Sequence, residues 1–192
     1  SEQVSLENLQ ISHQGSQSAD LLRVEAGVVY LRQCVLQGAR WDAQSKTGGS
    51  GLYLLNLAQA TVVQTAFIKN AHSGVQVADH ARLQAQQCRF EQNRYGVLAT
   101  DKAYADLREC EFRQNHDGVR ARNHARVDTL RNRAEENLHS GIVYADSTTG
   151  FVIENACLRN KWGLWVDETA KPLLQHNHCK DNHLMDCYDG RA

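Results

Sequence analysis

The sequence has no excess of charge of either sign, no long apolar run, no basic-then-apolar leader and no N-x-S/T sequon. Lys and Arg number 21 against 22 Asp and Glu, a formal net charge of −1, which excludes the basic surface that nucleic-acid binding requires. No stretch approaches the roughly 20 apolar residues of a membrane-crossing helix. Neither a nucleic-acid nor a membrane partner is therefore expected. The opening residues, SEQVSLENLQISHQ, do not have the form of a secretory signal peptide. The six cysteines fall at spacings that do not make a secreted disulfide framework, so they read as free buried thiols. Together these two absences lean toward a cytoplasmic location. With 192 residues and 42% apolar content, the chain is read as one domain, 1–192.

What is present is a repeat. Residues 81–102, ARLQAQQCRFEQNRYGVLATDK, align without gaps on residues 103–124, AYADLRECEFRQNHDGVRARNH. Ala81 falls on Ala103, Cys88 on Cys110, Phe90 on Phe112, Asn93 on Asn115, Gly96 on Gly118 and Val97 on Val119. Outside this pair the glycines Gly51, Gly74, Gly96, Gly118, Gly141 and Gly163 recur every 22 or 23 residues. The asparagines Asn70, Asn93, Asn115, Asn137, Asn160 and Asn182 keep step with them. A leucine-rich framework is missing, and the period is too short for a two-helix unit, which leaves a solenoid of strands.

Within a unit the apolar period is two. Val75 and Val77, Val97 and Ala99, Val119 and Ala121, and Leu164 and Val166 alternate with Gln76, Leu98, Arg120 and Trp165. Leu83 with Ala85 and Ala105 with Leu107 form a second alternating pair, and Phe67, Phe90, Phe112, Ala134, Cys157 and Cys179 a third inward position. Three short strands per coil fit this count. The expected fold class is all-β: a single-stranded right-handed parallel β-helix of about eight coils, 22–23 residues each.

The pattern VIENACLRNKWGLWV (152–166), with LQHNHCKDN (174–182), resembles the right-handed parallel β-helix repeat, and the resemblance extends over roughly residues 25–185. That repeat occurs in pectate lyases, alginate epimerases, the periplasmic copper-loading factor of nitrous oxide reductase and the CASH-type repeats of some F-box proteins. The resemblance implies the fold. It leaves activity open between sugar-cleaving enzymes and non-catalytic scaffolds.

The first coil, 1–27, is expected to be irregular, and residues 39–50, ARWDAQSKTGGS, insert about nine residues that must loop out of a turn. Six further coils start near Ala58, Ala81, Ala103, Ala125, Thr148 and Ala170, the last, 170–192, being incomplete. Solenoid ends need caps, so end-to-end self-association or a larger parent protein is expected. The Asn column reads as a turn ladder, with Asn in left-handed backbone; the Gly column marks the next turn; Asp79, Asp101, Asp146 and Asp167 read as turn caps.

Function is sought on the outward files. The residue after each Gly-Val or Gly-Leu runs Tyr53, Gln76, Leu98, Arg120, Val143, Trp165, and the residue before each Gly runs Ser73, Tyr95, Asp117, Ser140, Trp162. With Trp41 from the insertion, the candidate ligand-binding residues are Tyr53, Tyr95, Arg120, Trp162, Trp165 and Trp41. Aromatic platforms beside charged groups suit a polysaccharide or a protein strand. The expected role is a non-catalytic recognition or scaffold module. The alternative is a lyase, epimerase or hydrolase acting on an acidic polysaccharide, for which His116, Asp117, Arg120 and Arg122 would supply a base and a charge stabiliser. No cofactor is expected. No metal site is expected either: the tail offers His176, His178, Cys179, His183 and Cys187, but Cys179 falls in an inward column and His178 in an outward one.

Overall fold

The computed structural model describes residues 2–191, in which strands and turns occur and no helix does. Three sheets of eight parallel strands run the length of the molecule, each winding giving one strand to each sheet in turn. In the central winding these are Tyr104–Arg108 in the first sheet, Glu111–Arg113 in the second and Asp117–Ala121 in the third. The chain is thus a right-handed parallel β-helix of eight windings, as the 22-residue period predicts. The first winding contributes Gln3–Glu7, Gln10–Ser12 and Leu22–Val24. The last contributes Lys171–Gln175, His178–Lys180 and Met185–Asp189, so residues 170–191 reach all three sheets.

Register holds because like side chains share a file wherever successive strands keep the same length and the extra residues are taken up in turns. Val75, Val97, Val119, Ile142 and Leu164 are successive partners across the third sheet. They are buried, as are Leu83, Ala85, Ala105 and Leu107 of the first sheet. Phe67, Phe90 and Phe112 stack with ring centroids 5.1 and 4.8 Å apart. The stack ends at Ala134, and in that same winding the file Val77, Ala99, Ala121 becomes the much larger, fully buried Tyr144. Gly150 follows with φ +141°, and a Cβ there would lie 1.8 Å from Val127 O. The strand is displaced at this point, and the Tyr144 hydroxyl donates to Val127 O at 2.5 Å. Tyr144→Phe keeps the packing and leaves that carbonyl without its donor. The expected loss is about 1–3 kcal/mol, read as a lower urea midpoint at unchanged slope.

The turns differ from expectation in two respects. Left-handed backbone falls on the residue before each ladder Asn, as at Gln92 (φ 56°) and Gln114 (φ 54°), and on the residue before each Cys or Thr of the parallel column, as at Gln64 and Gln87. One such residue turns the corner, and the next side chain then points inward onto the neighbouring winding. The Gly column has no positive φ either: Gly74, Gly96 and Gly118 lie inside strands and are required by close approach.

The Asn ladder is continuous. Nδ2 of Asn70, Asn93, Asn115, Asn137 and Asn160 donates to Oδ1 of the next Asn at 2.9–3.1 Å, and each Oδ1 also accepts the backbone N–H of the Asn before it. Asn182 ends the file by donating to Asp186. A second ladder, Asn132 to Asn155 to Asn177, continues the cysteine column. Cys88 Sγ reaches the carbonyls of Val62 and Gln86, as Asn132 Nδ2 reaches Leu107 O two column positions later. Cys34, Cys88, Cys110 and Cys157 are buried; Cys179 is half-buried and Cys187 exposed, so the last does not fit the expectation of buried thiols.

Candidate functional site

The outward face of the third sheet carries the candidate residues, because alternation turns out every residue that lies between two core positions. Tyr53, Gln76, Leu98, Arg120, Val143 and Trp165 are successive register partners, and so are Ser50, Ser73, Tyr95, Asp117, Ser140 and Trp162. One residue earlier in each winding stand His72, Arg94, His116, His139 and Lys161. The face divides into two ends and a centre.

At the first end the insertion folds back as a hairpin, Trp41–Asp42 against Thr47–Gly48, and the Trp41 ring stacks on His72 at 4.4 Å. Tyr95 meets the same imidazole edge-on at 5.5 Å, and Arg23 lies over Tyr53 at 4.9 Å. Burial, then the charge of Arg94, push His72 down to about 4, so this imidazole is neutral at pH 7.

At the centre Asp117 is fully buried, covered by side chains of its own winding and the next. Its Oδ2 accepts from Arg120 Nη1 at 2.5 Å; its Oδ1 accepts the Ser140 amide at 3.1 Å and lies 3.1 Å from His139 Nδ1 and 3.5 Å from His116 Nδ1. The two imidazoles stack at 5.2 Å, inclined by 9°.

At the far end Trp162 and Trp165 meet edge to face at 4.5 Å, Tyr188 leans on Trp165, and Trp165 Nε1 donates to Asp167 Oδ1. Between this aromatic corner and the centre lies a cleft of about 420 Å³ with Val143 and Ala145 in its lining and Arg120, His139 and Lys161 beside it. That volume is within the range of small-ligand sites. A smaller depression on the first sheet, about 240 Å³, includes Asp106 and Arg108, which are already paired with each other at 2.8 Å.

The structure gathers Trp41, Tyr53 and Tyr95 at one end and Trp162 and Trp165 at the other. Tyr53 and Trp165 are five windings apart, roughly 24 Å at the spacing of paired strands. Of the candidate acid–base set it brings His116, Asp117 and Arg120 together and leaves Arg122 exposed at the strand end, with no hydrogen bond to Asp117. Asp117 was expected on the open face; it points outward but is sealed beneath His139 and Arg120. A carboxylate so covered, with both oxygens engaged, does not reach a substrate carbon as a general base. Sequence reasoning did not single out Lys161, Asp167 or His139 as residues of this site. The signal for His139 was available: the 23-residue step that carries Gly118 to Gly141 carries His116 to His139.

No curated protein matches the chain. A family model matches residues 33–190, and its description is "Periplasmic copper-binding protein (NosD)". The periplasmic description corrects the cytoplasmic leaning. Cys34, Cys88 and Cys110 are locked in an inward file, each beside a neighbouring carbonyl, so packing shields them and their free state says nothing of the compartment. A match over more than four-fifths of the sequence, on a fold of stacked β windings, places the chain in the NosD family.

Proposed function

We propose that the chain is a non-catalytic recognition module that holds an acidic saccharide on the outward face of its third sheet. The observation that carries this reading is the cleft at the far end: an aromatic corner, Trp162 and Trp165, stands over small side chains, with two permanent cations, Arg120 and Lys161, along one side. A sugar ring presents an apolar face that an indole covers, and its carboxylate fits a guanidinium fork. Arg120 commits one of its donors to Asp117 and keeps others for a ligand. The enzymatic alternative lacks an accessible carboxylate at the centre. The copper of the family description would find donors among the described residues in His116, Asp117 and His139, where an ion would add fixed positive charge beside the cleft.

Trp165→Ala is expected to weaken binding of uronate oligosaccharides at least ~10-fold, about 1.4 kcal/mol, with Lys161→Ala weakening it in the same direction. Calorimetric titration after a glycan array measures this, alongside an absorbance assay for unsaturated uronate. Turnover of the polymer would overturn the non-catalytic reading. An array with no uronate binder would overturn the saccharide in favour of a protein partner.

A further inference from the structure

We propose that His116, Asp117 and His139 form a metal centre that takes Cu(II), through the Nδ1 atoms of both imidazoles and Oδ1 of the carboxylate. The family description names copper and no residues; the assignment to these three atoms comes from how the windings stack, and it stands apart from the saccharide reading.

The three donor atoms lie within 4.8 Å of one another. Metal bonds of about 2.0–2.1 Å place two ligand atoms roughly 2.9 Å apart at a right angle and roughly 3.4 Å apart at a tetrahedral one. The contacts of Asp117 Oδ1 to His139 Nδ1 and His116 Nδ1, 3.1 and 3.5 Å, match that spread. Hydrogen bonding alone serves the cluster poorly. Oδ1 already accepts the Ser140 amide, yet both rings turn the same nitrogen toward it, and the Ser140 hydroxyl competes for His139 Nδ1 at 2.9 Å. A cation at the point where the donors converge satisfies all of them at once.

The surroundings have the form of a metal site. Arg120 holds the second carboxylate oxygen, as an outer partner does for a ligating carboxylate, and Asp117 is fixed because it is buried. His116 and His139 are 48% and 35% exposed, so an ion can enter. Imidazole with carboxylate suits Cu(II); Ca²⁺ and Mg²⁺ prefer all-oxygen cages. The competing sulfur row fits less well. Cys157 and Cys179 are register partners, but Cys157 is sealed in the core, and the neighbouring Cys157 thiol together with burial pushes Cys179 up to about 12, away from the thiolate a metal needs.

The test is titration of metal-free protein with Cu(II), followed by electron paramagnetic resonance. Expected are one ion per chain and superhyperfine coupling to two imidazole nitrogens. His116→Ala with His139→Ala is expected to weaken binding on the order of 100-fold or more, and Arg120→Gln by about 10- to 100-fold. Both histidines are partly exposed, so an unchanged circular dichroism spectrum separates lost ligands from lost fold. Copper bound as tightly by the double histidine variant, a spectrum without nitrogen coupling, or binding removed instead by Cys187→Ser would each overturn the assignment.

Discussion

Asn115→Ala is expected to lower stability by about 4 kcal/mol or more, a large part of the roughly 5–15 kcal/mol that holds an ordinary domain folded. The side chain is fully buried in the fifth of eight windings. Its Oδ1 accepts from both the backbone N–H and Nδ2 of Asn93, and its Nδ2 donates to Phe90 O as well as to Asn137 Oδ1. Alanine removes all four bonds. Asn137 Oδ1 keeps the Asn115 amide, but two donors on Asn93 and the Phe90 carbonyl are left in a dry turn, at about 1–3 kcal/mol each. In a solenoid each winding touches only its neighbours, so the damage falls mainly on the contact between the fourth and fifth windings, with one bond to the sixth also lost. Urea unfolding of the variant should therefore separate into two transitions. Gln92→Ala is the control: its amide makes the same kind of inter-winding bond to Gln114, at 3.1 Å, on the exposed side. It should change stability by no more than about 0.5 kcal/mol. Equal losses from the two substitutions would mean that burial of the ladder is not what makes it matter.

Which features could be read from the sequence follows from how the stack works. A position reads clearly when every winding sets it the same physical problem. The residue that must donate sideways and downward is Asn six times over, and the residue that must leave room for a neighbour's carbonyl is Gly six times over. Left-handed corners were misplaced because Lys69, Gln92, Gln114, Glu136 and Arg159 share a backbone angle and no side-chain chemistry, so the column leaves no trace in residue type. The burial of Asp117 was hidden for another reason. Its cover is His139 and Arg120, the first from the next winding, and period-two alternation says only which way a side chain points. Trp41 was legible as an insertion residue, whereas its seat on His72 depends on a two-strand hairpin closed by Gly48 and Gly49.

The Gly column gives the other large effect. Gly96→Ala is expected to cost about 3 kcal/mol or more, or to prevent folding, although alanine normally suits a strand better than glycine does. The added Cβ would lie 2.4 Å from Gly118 O and 2.7 Å from Phe112 Cδ1. The first is backbone of the next winding, held in the third sheet through Tyr95 and Asp117 as well as Val97 and Val119. The second belongs to a ring clamped in the Phe90 stack. Two substitutions separate these obstacles. Gly15→Ala meets only the half-buried ring of His13 at 3.0 Å, a side-chain end tethered by one hydrogen bond to Gln17 O and not by packed backbone, and should stay within about 1 kcal/mol of the parent in urea midpoint. Gly96→Ala with Phe112→Ala removes the ring and leaves the carbonyl. If the backbone contact dominates, the double variant is no more stable than the sum of its parts. Recovery beyond additivity would shift the cause to the phenyl stack, since only neighbours that share an obstacle couple in this way.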